Sequence, residues 1–139
     1  MLSLDGFRWN YTANIPTPNL DYIAENGVMA QSLRPSFPTK TFPNHYSMAT
    51  GLYPDNHGIV LNSFYDPELD AQYHLMDRST VEDPKFYGGE PIWVTAEKQD
   101  IISASYFWVG SEAPVKGVQP TYWKRYDHGF PFHQRIDTV

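Results

Sequence analysis

The sequence predicts an α/β fold, in which short apolar strands alternate with helices. Along the chain the predicted order is strand, helix, strand, helix, loop, helix and strand. Such alternation is typical of a mostly parallel sheet flanked by helices. Apolar residues make up 41% of the chain and aromatic residues 16%, which is enough to build a core. We therefore predict part of a mostly parallel sheet with helices on its faces.

The first half of the chain contains two predicted strands with one helix between them. Leu2–Asp5 is a short apolar run that fits the end of a strand. Thr17–Gly27 fits a compact helix, because a threonine can cap it, a proline occupies its first turn and a glycine ends it. We predict a second short strand over Val28–Leu33.

The second half begins with a predicted helix over Phe42–Thr50, which Gly51 ends. Residues 62–87 are polar and aromatic without a clear period, so we expect a long excursion that covers the site. The other predicted elements are a helix over Pro91–Gln99, a buried strand over Ile101–Val109 and a helix that begins within 131–137.

Composition excludes several classes of function. The net charge is −6, from 16 acidic and 10 basic residues, which argues against stable nucleic-acid binding because that requires basic patches. There are no cysteines, so disulfides and thiolate zinc sites are excluded. The acidic balance is compatible with a metal site, where cations offset acidic ligands. No signal peptide or membrane span is visible in the sequence, and this absence carries no conclusion about location.

Two threonines, Thr39 and Thr41, stand just before a helix start that Pro43 signals. A hydroxyl there lies near the N–H groups and the positive end of the helix, where phosphates bind and an alkoxide is stabilised. A threonine is also a common N-cap, and one geometry serves both roles. Upstream, Asp5 is either a turn residue or a ligand at the end of a strand, where open α/β sheets bind their ligands.

Four blocks of the sequence resemble the type I phosphodiesterase / nucleotide pyrophosphatase family, a branch of the alkaline phosphatase superfamily. They are S-L-D-G-F-R at 3–8, P-T-K-T-F-P-N-H-Y-S at 38–47, T-G-L-Y-P-D-N-H-G-I-V at 50–60 and G-G-E-P-I-W-V-T-A-E-K-Q at 88–99. Segments 104–112 and 131–137 extend the resemblance over essentially the whole chain. It implies an alkaline phosphatase-like α/β fold.

The resemblance also implies a role for each residue of the catalytic centre. Asp5 occupies the place of a zinc ligand, and Thr41, the second threonine of P-T-K-T-F-P, occupies the place of the nucleophile and of a further ligand. Asn62 matches the asparagine that faces a phosphoryl oxygen together with the backbone N–H after the nucleophile, here that of Phe42. Donors of this kind stabilise charge in the transition state. Without the resemblance, the favoured interpretation of Asn62 is a turn residue beside Ser63.

Aromatic residues are expected to bind the substrate. By resemblance, Phe42 and Tyr126 sandwich the base of a nucleotide, and Trp108 belongs to the same pocket. Stacking of this kind tolerates any base and contributes about 1–3 kcal/mol per base. His45 and His57 lie in the matching blocks without being ligands in the family, so we predict that each makes a structural hydrogen bond to a loop.

The family's catalytic domain is much longer than this chain. The resemblance therefore implies that residues 1–139 are the N-terminal portion of a single phosphodiesterase catalytic domain, truncated at both ends. The family binds two Zn²⁺ ions through six carboxylate and histidine ligands plus the threonine. Of those six only Asp5 is matched, and the others are expected beyond Val139. We therefore expect the chain alone to be inactive.

The implied function of the complete protein is zinc-dependent hydrolysis of nucleotide phosphodiester or pyrophosphate bonds. The threonine attacks, a nucleotidyl-threonine forms, and water releases a nucleoside 5′-monophosphate. One alternative keeps this chemistry on a lysophospholipid or choline phosphodiester, and another is a non-catalytic truncated interaction module. Family members are commonly secreted, periplasmic or membrane-anchored. The sequence leaves the oligomeric state open.

Overall fold

A computed structural model describes residues 1–138, and the chain divides into two compact units, Met1–Pro35 and the part that begins at Ser36. The α-helices are α1 (Pro18–Asn26), α2 (Thr41–Thr50), α3 (Pro54–His57), α4 (Arg78–Val81), α5 (Ile92–Glu97) and α6 (Phe132–Thr138). The strands are β1 (Ser63–Asp66), β2 (Ala71–His74), β3 (Ala104–Tyr106) and β4 (Tyr122–Lys124), and 3₁₀ turns span Tyr11–Ala13, Pro84–Phe86 and Val115–Gly117. Among these described residues, no helix has both the length and the apolar character needed to cross a membrane.

The helix of the first unit, α1, confirms the predicted helix within a residue at each end. Thr17 precedes it and Pro18 is its first residue, as the sequence indicates. The Thr17 hydroxyl donates to Asp21 Oδ1 at 2.9 Å, so it bonds a side chain of the first turn and not a backbone N–H. Gly27 follows the helix, where an added Cβ would lie 2.9 Å from the carbonyl oxygen of Ile23. A larger residue would therefore force the backbone to shift.

The two strands predicted in the first unit are wrong for the part of the chain that the structure describes. Neither Leu2–Asp5 nor Val28–Leu33 pairs with another strand. A strand exists only through hydrogen bonds to a neighbour, and apolar character alone does not supply that neighbour. The large apolar side chains of these segments are exposed, with Leu2 at 88% and Val28 at 100%.

Helix α2 is the centre of the second unit. It begins at Thr41, and Gly51 ends it in the left-handed conformation (φ 70°), with its N–H bonded to the carbonyl of Ser47 at 2.8 Å. This confirms the predicted helix and its terminating glycine. Tyr46 and Ala49 point from α2 into an aromatic-rich core. The rest of that core is Ile59, Phe64, Tyr73, Val81, Phe86, Tyr87, Trp93, Val94, Ala113 and Val115.

The segment 62–87 is more regular than predicted. It contains the antiparallel hairpin of β1 and β2, in which Phe64 pairs with Tyr73 and their rings stack at 5.1 Å. Each strand has four residues, so the alternation is too short to stand out in the sequence. The two inward rings cover one side of the core.

The strand predicted over Ile101–Val109 is shorter in the structure, and the prediction that it is buried is wrong, since Ile101 and Ile102 are 56% and 70% exposed. Strand β3 pairs in parallel with β4 from Ala104, and Phe107 ends it because its positive φ of 61° is incompatible with a strand. The carboxylate of Glu97 accepts bonds from the N–H and hydroxyl groups of Ser103 and Thr121, the residues that precede the two strands. These bonds lower the pKa of Glu97 to about 2.

Candidate active site

The N-terminus of α2 places Thr41 at the first helical position. Lys40 precedes it in an extended conformation and gives no side-chain cap, and the first backbone bond of the helix runs from Asn44 N–H to the carbonyl of Lys40 at 3.2 Å. Pro43 has no N–H, so it leaves no unpaired donor in this turn. Thr41 is half-buried, whereas Thr39 is exposed. Only the second threonine is therefore part of the helix.

The side chain of Asn62 lies against this helix end. Its Oδ1 accepts a hydrogen bond from the backbone N–H of Phe42 at 3.0 Å. Because the amide oxygen is the acceptor, the Nδ2 group is the part of Asn62 that can donate to another oxygen. The bond from the Phe42 N–H polarises the side-chain amide of Asn62. Its Nδ2 group is therefore a stronger donor to an anion. The resemblance implies that Asn62 and the Phe42 N–H both face a phosphoryl oxygen, but in this structure the N–H donates to Asn62 itself, so only the Nδ2 group of Asn62 stays a predicted donor to the phosphate.

Asn44 fixes the loop that leads to Thr41, a role that the sequence analysis missed. Its Oδ1 accepts bonds from the backbone N–H of Ser36 at 2.8 Å and from the Ser36 hydroxyl at 3.1 Å. Its Nδ2 donates to the carbonyl of Lys40 at 2.9 Å, with a longer contact of 3.4 Å to Pro38. One side chain of α2 therefore holds both ends of the segment 36–40. The asparagine is visible in P-N-H, but its partners eight residues away are not.

His57 supports α2 from the core, in agreement with its predicted structural role. It is completely buried, and its Nδ1 accepts the N–H of Ile59 at 3.2 Å. The proton therefore lies on Nε2, which donates to Ser47 Oγ at 2.9 Å. Burial lowers the pKa of His57, so the neutral imidazole is favoured. Ser47 Oγ lies 3.5 Å from Ser36 Oγ, which connects this histidine to the loop before Thr41.

Trp108 is attached to α2 one turn after Thr41. Its Nε1 donates to the carbonyl of His45 at 3.0 Å, and its ring meets the His45 ring edge-on at 5.5 Å. The His45 ring nitrogen Nδ1 lies 2.8 Å from the carbonyl oxygen of Thr41. Since a carbonyl only accepts, Nδ1 carries the proton. His45 therefore bonds its own helix, and it links Trp108 to Thr41.

The two rings predicted to sandwich a base have different surroundings. Phe42 is partly buried against the core, with its ring at 6.4 Å from Tyr73. Tyr126 is 45% exposed, meets Phe107 edge-on at 5.2 Å and has its hydroxyl 3.2 Å from His128 Nδ1. Their placement on two sides of a base stays a prediction.

The donor set for a metal is incomplete in the described residues. Asp5 is an exposed residue of the first unit, and its approach to Thr41 stays a prediction. Within residues 1–138, no three or more His, Cys, Asp and Glu side chains cluster closely enough to hold a metal ion. The oxygens of an aspartate and a threonine suit zinc, but a stable site has four ligands. The described residues alone do not fit a complete zinc site.

Two surface cavities lie away from the α2 N-terminus. One of about 430 Å³ is lined by Arg78, Ser79, Glu82, Asp83, Pro84 and Arg125. The other, of about 530 Å³, follows β3 and β4. Neither contains Thr41 or Asn62, so cavity size does not identify the site in this chain.

The fold is that of an α/β protein of the alkaline phosphatase-like type, a class that includes phosphoryl-transfer enzymes. The family model for type I phosphodiesterase / nucleotide pyrophosphatase matches residues 1–139, and the chain belongs to this family. The chain is 44% identical over its whole length to mouse ectonucleotide pyrophosphatase/phosphodiesterase family member 1 and covers 16% of that protein. It is also 44% identical to the venom phosphodiesterase CdcPDE of Crotalus durissus collilineatus, of which it covers 17%.

Solved structures give the same result for the fold. Murine ectonucleotide pyrophosphatase / phosphodiesterase 5 matches 98% of this chain with a TM-score of 0.92 and 38% identity, and the match covers 36% of that structure. An inactive threonine-to-alanine variant of the same murine protein, in complex with AMP, matches 99% of this chain with a TM-score of 0.92 and 37% identity, over 37% of its own chain. The chain thus spans about a sixth of the curated relatives.

Proposed function

We propose that the protein containing this chain hydrolyses phosphodiester or pyrophosphate bonds of nucleotides and releases a nucleoside 5′-monophosphate. The observation that carries the proposal is the helix end where Thr41 is the first residue of α2 and Asn62 bonds the N–H of Phe42 at 3.0 Å. Membership of the family supports the reaction class. The AMP complex of an inactive threonine-to-alanine relative supports both the substrate class and the need for a threonine.

In this proposal the Thr41 hydroxyl is the nucleophile. Its oxygen forms a bond to phosphorus, the bond to the leaving oxygen breaks, and the hydroxyl proton is lost to solvent. Water then cleaves the threonyl ester and releases the monophosphate. The Nδ2 group of Asn62 donates to a non-bridging phosphoryl oxygen, and the positive end of α2 favours the same negative charge. Because Asn44 and Ser36 fix the preceding loop, the hydroxyl is held in place before the substrate binds.

Substrate binding is assigned to aromatic residues. We propose that Phe42 and Tyr126 stack on the two faces of the base and that Trp108 borders the same pocket. The exposed ring of Tyr126 has area available for such contact. A nucleotide then gains binding energy that a small ester lacks, because its base lies far from the reacting phosphorus. This gain in binding energy from the base distinguishes nucleotide hydrolysis from the alternative, hydrolysis of a lysophospholipid or choline phosphodiester.

We further propose that the chain is the N-terminal portion of a single catalytic domain with two Zn²⁺ ions. Asp5 and Thr41 would contribute oxygen ligands, and the nitrogen and remaining carboxylate ligands would come from parts of the protein outside this chain. Bound zinc would act as a Lewis acid toward the phosphoryl group. The names of the relatives, which are ectonucleotide and venom enzymes, favour a secreted or membrane-anchored location.

The test compares the two threonines in the complete protein. Thr41→Ala is expected to lower kcat on the p-nitrophenyl ester of thymidine 5′-monophosphate by about 10³-fold or more, because the covalent step is lost. Thr39→Ala, at the exposed neighbouring threonine, is the matched control and is expected to keep most of the activity. Similar losses in the two variants would contradict the assignment of the nucleophile.

A further inference from the structure

The backbone of Tyr126 is held by a single ion pair. Tyr126 lies between β4 and α6, outside either element. Its N–H donates to Glu112 Oε1 at 3.2 Å, and its carbonyl accepts from Arg78 Nη2 at 2.6 Å. Arg78 Nη1 also donates to Glu112 Oε2. The three residues form a closed ring of hydrogen bonds in which both polar backbone groups of Tyr126 are satisfied.

The acidic member of the pair is anchored in the protein interior. The side chain of Glu112 is only 7% exposed, whereas that of Arg78 is 44% exposed. A buried carboxylate requires donors, because removing its hydration is costly. Arg78 and the Tyr126 N–H supply those donors. The backbone carbonyl of Glu112 also accepts a bond from Gln119 Nε2 at 3.0 Å, which fixes the segment that carries it.

The basic member lies on a short, well-fixed helix. Asp77 caps α4 by accepting the N–H of Ser79 at 2.9 Å, and Val81 at the other end of α4 packs in the core. Glu82, which follows α4 directly, pairs through both carboxylate oxygens with Arg125 at 2.9 and 3.0 Å. The same helical turn therefore holds two consecutive residues, 125 and 126. Neither Arg125 nor Tyr126 belongs to a β-strand, since β4 ends at Lys124.

We propose that Arg78 and Glu112 are positioning residues that set the location of the Tyr126 ring for stacking on a nucleotide base. This inference rests on the proposed function. The pair binds the backbone and not the ring, so it acts through Tyr126. A guanidinium is suited to the task, because its planar fork donates to a carboxylate and a carbonyl at the same time. A lysine in its place offers one ammonium group and cannot match that geometry.

The experiment uses two esters with the same leaving group in the complete protein. They are the p-nitrophenyl ester of thymidine 5′-monophosphate and methyl p-nitrophenyl phosphate, which lacks the base. Arg78→Lys is expected to raise KM for the nucleotide ester about fivefold or more, as for a weakened base stack. KM for the methyl ester and kcat for both are expected to stay within about twofold. Amide hydrogen exchange in the peptide containing Tyr126 is expected to become faster.

Controls separate this inference from the proposed function. Lys98→Gln removes a different ion pair, to Glu90 at 2.6 Å, and should change neither KM nor exchange at Tyr126. Glu112→Gln is the second variant if Arg78→Lys is unstable, with the same selective rise in KM expected. Tyr126→Ala is the reference for the full loss of stacking.

Each of the following results overturns the inference. Equal changes on both esters would indicate a general structural role for the pair, and unchanged KM with unchanged exchange would show that the pair does not position Tyr126. If Tyr126→Ala is selective for the nucleotide ester and Arg78→Lys is not, only this inference falls. If the unmodified protein hydrolyses neither ester, the proposed function falls, and this inference falls with it.

Discussion

Two regions of the second unit are held in place by different chemistry. The loop before Thr41 is fixed by neutral hydrogen bonds among Asn44, Ser36, Ser47 and buried His57. The segment around Tyr126 is fixed by charged groups, of which three of the four side chains are partly or largely exposed. Neutral bonds are insensitive to salt, whereas exposed ion pairs are screened. The contacts that fix the loop before Thr41 should therefore depend less on ionic strength than those that fix the segment around Tyr126.

This difference matches what each region is proposed to do. A nucleophile must stay within a fraction of an ångström of its productive position, because misplacement by about 1 Å can cost 10²-fold in rate. A stacking residue tolerates more movement, since stacking is broad and accepts any base. Disturbing the neutral network of Asn44, Ser36, Ser47 and His57 should therefore lower kcat. Disturbing the charged clamp, formed by the ion pairs Arg78–Glu112 and Glu82–Arg125, should raise KM.

After Thr41 itself, the largest effect is expected at Asn62. Asn62→Asp keeps an oxygen to accept the Phe42 N–H but removes the Nδ2 donor and adds a negative charge near the phosphate. We expect kcat on the nucleotide ester to fall by about 10²–10³-fold, as when an oxyanion-hole donor is removed. Thermal unfolding of the complete protein should change little, because the helix end keeps its acceptor. Retained kcat with a lower Tm would show that Asn62 only caps α2.

A smaller effect is expected at Asn44. Asn44→Asp keeps the acceptor for Ser36 and loses the Nδ2 donation to Lys40 at 2.9 Å. The loop before Thr41 should loosen, and kcat should fall about tenfold with KM nearly unchanged. Asn56→Asp is the matched control, because Asn56 is exposed and its side-chain Nδ2 donates to the neighbouring Asp55. A rise in KM without loss of kcat would place Asn44 with the charged clamp.

The smallest effect concerns pH. Burial lowers the pKa of His57 in the folded protein below its ordinary value of 6.5. The unfolded chain then binds a proton more readily, so stability is complete above pH 6.5 and declines as the pH falls toward the folded pKa. Tm measured from pH 7.5 to 5.5 should fall more steeply for the unmodified protein than for His57→Gln. Parallel curves would show that His57 is not linked to unfolding in this range.

The sequence predicts the parts of this fold whose signals are local. Helices α1 and α2 are recognised because proline, threonine and glycine mark their ends. The hairpin of β1 and β2 is not predicted from the sequence, because each strand has only one buried residue, Phe64 or Tyr73. The strands predicted near Leu2 and Val28 fail for the opposite reason, since an apolar run does not provide a hydrogen-bonding neighbour.

The residues of the candidate site also fall into two groups, those that the sequence predicts and those that only the structure reveals. Thr41 and Asn62 are identified through blocks that resemble the family, and the structure adds the 3.0 Å bond between Asn62 and the backbone beside Thr41. Asn44, Arg78 and Glu112 are missed, because their partners lie 4–48 residues away and consist largely of backbone atoms. A backbone carbonyl leaves no signature in the identity of the residue that carries it. Positioning groups of this kind become visible only in three dimensions.

The central claim is that Thr41 forms a covalent bond to phosphorus. The most direct measurement is acid quenching of the complete protein during turnover of the p-nitrophenyl ester of thymidine 5′-monophosphate, followed by mass spectrometry of the peptide that contains residues 39–41. The account predicts a thymidylyl group on Thr41, which disappears in Thr41→Ala and persists in Thr39→Ala. A thymidylyl group on Thr39, or rapid turnover with no adduct in the unmodified protein while Thr41→Ala remains active, would contradict it.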